Sequence, residues 1–318
     1  MSESISSEVV VDIQDLTKDY KLGFLKKRSM RTLDHLSLQV RRGEIFGFLG
    51  PNGAGKTTTL KLLMSLIFPT SGSARILGQP IDHVGTRSRI GYLPENPYFY
   101  DYLSGRELLK YTAALFTISP SKADERASEL IRLVGLDEEA AGRQLRKYSK
   151  GMLQRIGIAQ SLVNDPEIVF MDEPMSGLDP IGRREVRDLL LGLREQGKTV
   201  FFSSHILSDV ELLCDRAAIL RRGRLVRCGS VHEMTENQGA NVEVIAVGLD
   251  ISRPEMLMEG LNTIRSILEP PNGIRLLLHD ESSVDDALSL IRKAGGRLVS
   301  VNPQRISLED IFSNAERG

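Results

Sequence analysis

Between Glu44 and Ile67 an apolar hexapeptide runs through a glycine-rich octapeptide into a helix-forming stretch. The octapeptide is Gly50-Pro51-Asn52-Gly53-Ala54-Gly55-Lys56-Thr57, an ungapped match to G-x-x-x-x-G-K-[ST]. Few local sequences restrict a fold as strongly, because this one needs a buried strand before the loop and a helix after it. Glu44-Ile45-Phe46-Gly47-Phe48-Leu49 reads as the strand and Thr58 to Ile67 as the helix. Gly50, Gly53 and Gly55 allow backbone conformations closed to other residues and bring N–H groups close to an anion. Lys56 supplies charge to outer phosphates, the Thr57 hydroxyl suits Mg²⁺, and the helix N-terminus at Thr58 adds partial positive charge. The segment predicts a nucleoside triphosphate site inside an α/β domain.

The rest of the chain agrees with that class. Apolar strands at Glu167–Asp172 and Thr199–Ser203 flank a helical pattern carrying Val186, Leu189, Leu190 and Leu193. Strands and helices alternating in this way predict a largely parallel sheet wrapped by helices. Glu8–Leu16 and Leu36–Val40 alternate as strands; the basic stretch between them, with Lys21, Lys26, Lys27, Arg28 and Arg31, predicts a solvated hairpin tip. Residues 104–136 look helical. After about Ser230 the pattern becomes β-α-β-β-α-β, with a helix over Pro254–Leu261, a hairpin turn at Pro270-Pro271-Asn272-Gly273, an amphipathic helix over Val284–Ala294 and a closing strand at Arg297–Val301. A last helix is expected from about Ser307. The expected architecture is a domain over 1–230, with a helical subdomain at about 96–160, and a small ferredoxin-like α+β domain over 231–318.

Composition excludes several alternatives. With 42 acidic against 41 basic residues, no global field favours nucleic acid. Cys214 and Cys228 are the only cysteines and form no C-x-x-C pair, which suggests a reducing compartment. The first residues lack a signal peptide's basic start and apolar run, and no uncharged apolar stretch reaches bilayer length. The expectation is a cytoplasmic chain that meets a membrane only through a partner.

A phosphate loop does not by itself imply hydrolysis. The strand ending in Asp172-Glu173 adds two carboxylates at the sheet edge where the loop lies. Asp172 suits Mg²⁺, and Glu173 suits a base that polarises attacking water. Two acids capping the next turn is the plainer alternative.

Further motifs complete a pattern. Tyr20 precedes the phosphate loop; Tyr148-Ser149-Lys150-Gly151-Met152 leads into Leu153–Ala159; Ser176-Gly177-Leu178-Asp179 follows Glu173; and His205 follows Ser203-Ser204. In order and spacing, residues 8–230 resemble the nucleotide-binding subunits of ATP-binding-cassette (ABC) transporters. The resemblance implies roles for each motif. Tyr20 would stack on adenine, or serve as a strand-end tyrosine with a buried ring. Ser149 and Gly151 would form the signature that contacts phosphate, and Ser149 is equally a good helix cap. Asp179 belongs to a dimer-contact loop, or is simply the turn acid before Pro180. His205 would hold the γ-phosphate, or be a buried structural histidine.

Two departures stand out. Glu95, in Gly91-Tyr92-Leu93-Pro94-Glu95-Asn96, replaces a Gln that reaches Mg²⁺ in many members, and Lys150 and Met152 replace the signature's usual Gly and Gln. Such signatures, with a C-terminal Ser307-Leu-Glu-Asp-Ile-Phe312 segment, resemble export-type subunits that pair with separate membrane proteins. The resemblance then implies ATP and Mg²⁺, a head-to-tail dimer with a second, identical ATP-binding subunit, and an integral-membrane permease docking near the Glu95 loop. A soluble cassette remodelling a macromolecular complex is the alternative, although only one phosphate loop occurs and no long coiled coil interrupts residues 58–148. A GTPase would carry Asn-Lys-x-Asp, which is absent.

Overall fold

The computed structural model describes residues 7–22, 28–236, 241–248, 263–269, 273–278 and 283–304. The chain divides into two compact units, Met1–Val231 and His232–Gly318.

In the first unit, β1 (Val9–Leu22) and β2 (Arg28–Arg41) form a long antiparallel hairpin. Its register sets Val11 against Val40 and Ile13 against Leu38, all four buried. The strands run further than their apolar alternation suggests, because their outer halves are polar and pair through exposed side chains such as Arg31 and Asp19. Lys26 and Lys27 lie outside the described residues. With β4 (Ser71–Ile76) and β5 (Gln79–Pro80) the hairpin makes a four-stranded sheet, β2-β1-β4-β5.

The second sheet contains β3 (Ile45–Leu49), β6 (Ile90–Leu93), β7 (Ile168–Asp172), β8 (Thr199–Ser204), β9 (Arg216–Arg221) and β10 (Arg224–Ser230), in the order β10-β9-β3-β8-β7-β6. All its pairs are parallel except the edge pair β10–β9. Every residue of β3, β7 and β8 is buried, as strands covered on both faces require. Phe201 is the hub: Phe46, Phe48 and Phe170 lie 5.4, 5.2 and 5.5 Å from it between ring centroids. Parallel register sets Leu49 opposite Ser204, and Asp172 opposite Ser203. The phosphate loop, the paired acids and His205 therefore leave the sheet at one edge.

Helix α1 (Lys56–Leu63) fills the space between the two sheets, with Leu60, Leu62 and Leu63 in their common core. It starts two residues before the expected Thr58 and stops short of Ile67, because Ser65 takes a left-handed φ of 53° and the Leu66 and Ile67 amides both turn back to the Lys61 carbonyl. The helical stretch of 104–136 is two helices, α2 (Gly105–Leu115) and α3 (Pro120–Leu133). Thr117, at φ 59°, and Pro120 at the start of α3 separate them. Ser104 and Glu107 close a reciprocal capping box at α2. There follow α4 (Glu138–Gly142), α5 (Lys150–Ser161), α6 (Pro180–Glu195), α7 (Leu207–Leu213) and α8 (Val231–Glu236).

The second unit holds β11 (Asn241–Val247), β12 (Thr263–Glu269), β13 (Gly273–Leu278) and β14 (Arg297–Gln304), antiparallel throughout in the order β12-β13-β11-β14. Helix α9 (Val284–Lys293) buries Ala287 and Ile291 against Val242, Val244, Ile274 and Leu276. The helix expected over Pro254–Leu261, the turn Pro270–Asn272 and the helix expected from Ser307 lie outside the described residues.

Candidate active site

The phosphate loop is shaped by two kinds of glycine. Gly53 and Gly55 take φ of 81° and 109°, which L side chains rarely adopt. Gly50 has an ordinary φ, but a Cβ there would lie 2.6 Å from the Leu220 carbonyl oxygen, so the loop could not pack on β9. Pro51, Asn52, Gly53, Gly55, Lys56, Thr57 and Thr58 line a cleft of about 280 Å³, joined by Thr32, Glu95 and Glu173. Ala54 is buried behind the loop, and its carbonyl accepts from the Gly223 amide.

Three sequence-predicted groups meet here. Lys56 Nζ donates to the Gly50 carbonyl at 2.7 Å and stands 3.3 Å from Glu173 Oε1. Glu173 Oε2 lies 2.9 Å from His205 Nδ1. The Lys56 and Glu173 side chains are only 6% and 9% exposed, whereas His205 is 45% exposed and is not among the residues lining the cleft, so it reaches the ion pair through Glu173. This histidine is thus not buried, and its ring is held by the predicted base. Glu173 also has a left-handed φ of 53°, a strained state for a residue with a Cβ that costs about 1–2 kcal/mol. Strain of this kind persists where surroundings fix it, and Ser203 supplies part of that restraint.

Ser203 Oγ accepts from the Glu173 amide at 3.0 Å and donates to Asp172 Oδ1 at 2.6 Å. Asp172 Oδ2 is buried without a hydrogen-bond partner. An orphaned carboxylate oxygen beside a triphosphate cleft, with the Thr57 hydroxyl and Glu95 on its wall, is a hard oxygen donor set of the kind Mg²⁺ takes. Among the described residues no cluster of three or more His, Cys, Asp or Glu side chains could hold a metal. Tyr92 on β6 is pushed up to about 12 by burial, with Asp172 and Glu95 adding to the effect, so it stays a neutral phenol.

The remaining predicted residues lie elsewhere. Ser149, Gly151 and Asp179 line a different cleft, of about 530 Å³, that shares no residue with the first. Ser149 caps α5 by accepting from the Met152 amide at 3.2 Å, and Asp179 caps α6 by accepting from the Gly182 amide at 2.8 Å. Lys150 passes directly over Gly177, so that a Cβ at Gly177 would collide with its amine. Tyr20 is half-buried on β1, with Lys18 Nζ 5.2 Å from its ring centroid, and is not among the residues lining the phosphate cleft.

Sequence reasoning missed Thr32, Ser203 and Gln154. Thr32 reaches the cleft only through the hairpin's tertiary position. Gln154 Nε2 donates to the Pro174 carbonyl at 2.7 Å, tying α5 to the loop that carries Glu173. Ser203 had a visible signal, its place two residues before His205 at a buried strand end.

The family model described as ABC transporter matches residues 33–176. An uncharacterised ABC transporter ATP-binding protein of Synechocystis sp. is 46% identical over 304 residues, 95% of this chain and 83% of that protein. One of Nostoc sp. is 47% identical over 96% of this chain and 89% of its own length. The bacitracin transport ATP-binding protein BcrA of Bacillus licheniformis is 42% identical over 220 residues, 68% of each chain. Among solved structures, the dimeric ATP-binding cassette MJ0796, in a post-hydrolysis state bound to ADP and Pi, superposes with a TM-score of 0.64 at 26% identity. The match covers 70% of this chain and 98% of that one. The chain belongs to the ABC transporter ATP-binding proteins: it is a P-loop ATPase of the cassette fold, the ATP-hydrolysing subunit of a transporter.

Proposed function

We propose that this subunit hydrolyses ATP at sites shared by two copies of the chain facing head to tail, and that the cycle drives a separate integral-membrane permease, in the direction of export. The observation that carries the reading is the division of the motifs between two clefts. Lys56, Thr57 and Glu173 line one, Ser149 and Asp179 the other, so one subunit offers two half-sites. Two-fold pairing completes both at once. The dimeric state of the MJ0796 cassette supports the same arrangement.

Within a completed site, Lys56 and the loop amides bind the phosphates, Glu173 takes the proton of the attacking water, and His205 donates to a γ-phosphate oxygen. Thr57, Asp172 and Glu95 would hold Mg²⁺, which when bound draws charge from the phosphate oxygens. Ser149 and Gly151 of the second copy cover the phosphate, with the α5 N-terminus adding to the attraction. Nucleotide binding closes the dimer and hydrolysis reopens it. Tyr20 is assigned to the adenine side.

No helix among the described residues is long and apolar enough to cross a membrane. A groove of about 540 Å³ beside the Glu95 loop, lined by Leu66, Tyr92, Pro94, Pro97, Tyr98 and Phe116, supports docking there. Tyr98 and Leu66 are 95% and 61% exposed, an unusual apolar display for a free surface. The bacitracin transport relatives support a transported cargo and the lean to export.

Lys56→Ala is expected to lose nucleotide affinity, whereas Glu173→Gln retains ATP and accumulates as a dimer with turnover collapsed. Normal turnover by Glu173→Gln would overturn the base assignment. Specific activity independent of subunit concentration in a monomeric preparation would overturn the shared site. Recovery of only soluble partners from detergent-solubilised membranes would favour a soluble remodelling ATPase instead.

A further inference from the structure

Behind His205 lies a charged group with no assigned task. Asp209, in the first turn of α7, is 4% exposed, and its Oδ2 is buried without a hydrogen-bond partner. Arg183, in the first turn of α6, has its Nε buried in the same condition. A buried donor or acceptor without a partner is expensive, and a charged one more so. Arg183 as a whole is only partly buried, so the unpartnered atoms are its Nε and the Asp209 Oδ2, on a guanidinium and a carboxylate of opposite sign.

The charges acting on Asp209 place it at a junction. Burial pushes its carboxyl above the ordinary carboxylate range; Arg183 and then Arg187 pull it back, Glu173 adds to the rise, and His205 opposes it. Arg183 and Arg187 are four apart and therefore share a face of α6. Asp209 thus lies within electrostatic reach of three motifs: the helix begun by the Asp179 loop, the Glu173 strand end and the His205 loop. Gly47 makes the approach possible. A Cβ there would meet the Val210 Cγ1 at 2.7 Å and the Cys214 Sγ at 2.8 Å, so only glycine lets α7 lie this close on β3.

We propose that Asp209 is a positioning residue for hydrolysis, whose carboxylate takes the Arg183 guanidinium when His205 leaves Glu173 for the γ-phosphate, joining the His205 loop to the Asp179 loop. The inference rests on the γ-phosphate role given to His205 above. His205 Nδ1 lies 2.9 Å from Glu173 Oε2, a contact that fixes the start of α7. Transfer of that hydrogen bond to a phosphate oxygen shifts the segment carrying Asp209. An Asp209–Arg183 pair then satisfies both orphaned atoms and orders α6, which presents Asp179 to the second copy. Charge-assisted pairs of this kind are the stronger hydrogen bonds of an interior.

The test uses the full chain, with Asp209→Asn, Arg183→Gln, their combination and Arg183→Lys. The expected result is a kcat on the order of 10-fold lower for each single change, the scale of losing a group that orients a reacting residue, with KM for ATP little altered. The double variant is no slower than the singles, and Arg183→Lys recovers most of the rate. Nucleotide-free Asp209→Asn melts no lower than the parent, because it removes an unpaired buried charge. In a Glu173→Gln background, ATP-driven dimerisation weakens by a similar factor. A lowered nucleotide-free melting temperature with unchanged kcat would make Asp209 merely structural, and losses that multiply in the double variant would show that the two do not act as a pair. If Glu173→Gln alone fails to dimerise with ATP, the shared-site reading fails, while the kcat comparison still decides the Asp209–Arg183 pair.

Discussion

Ser203→Ala isolates the support beneath the two acids without touching either. The hydroxyl is fully buried, donates to Asp172 Oδ1 at 2.6 Å and accepts from the Glu173 amide at 3.0 Å. A hydrogen bond to a charged group contributes about 1.5–3 kcal/mol and a neutral one about 1 kcal/mol. Removing both gives an expected loss of roughly 2–4 kcal/mol, since Asp172 Oδ2 already lacks a partner and the carboxylate would be left with neither oxygen satisfied. For a unit of this size, each kcal/mol moves the melting temperature by about 2–4 °C, so a fall of roughly 5–15 °C is expected without nucleotide. The nucleotide-bound state should behave differently. In the proposed site the Asp172 carboxylate would gain a cation with ATP and Mg²⁺, so part of the loss should be recovered. The assay is paired urea and thermal melts of Ser203→Ala and its parent, with and without ATP·Mg²⁺, both in the Glu173→Gln background to stop turnover. A destabilisation below about 0.5 kcal/mol would refute the claim that Ser203 supports the acids, since that is the scale of an unremarkable surface change. An equal loss with and without nucleotide would refute the assignment of Asp172 to the proposed Mg²⁺ site.

Two further predictions test the frame rather than the chemistry. A Cβ at Gly91 would lie 2.0 Å from the Ser161 carbonyl oxygen, a backbone atom that cannot swing away, so Gly91→Ala should cost at least about 2 kcal/mol by forcing β6 from the end of α5, read by urea melts. Hydrogen bonds from His35, Arg224 and Arg31 hold the Asp34 carboxyl down to about 2. A depressed carboxyl stabilises the fold above its unfolded pKa of about 4 and loses that contribution as pH falls toward 2, so Asp34→Asn should flatten the pH 4 to 2 limb of a melting-temperature profile.

What could be read from the sequence followed from how local each determinant is. The Gly50–Thr57 loop, the strand ending in Asp172-Glu173 and the Ser149 cap are set by a few neighbouring residues, and the molecule places them as their patterns require. Helix limits depended on single residues that periodicity weighs poorly: Ser65 in a left-handed state ends α1, and Thr117 with Pro120 splits the stretch at 104–136. The outer hairpin leaves little trace in the sequence for a related reason, since its polar cross-strand pairs give no apolar alternation.

The chemistry was harder to read because it depends on register. Ser203 touches both acids only because β7 and β8 pair in parallel with Asp172 opposite Ser203. A one-residue slip would turn that hydroxyl to the other face of the sheet. The same register carries His205 to Glu173, thirty-two positions away in sequence. Residues that bear charge or carry glycine announce themselves in a sequence, whereas a buried serine reveals its role only when a partner strand defines what lies across from it. The division of the motifs between two clefts is the extreme case. Nothing in the spacing from Lys56 to Ser149 says that they fall in separate clefts, yet that separation is the observation on which the proposed second copy rests.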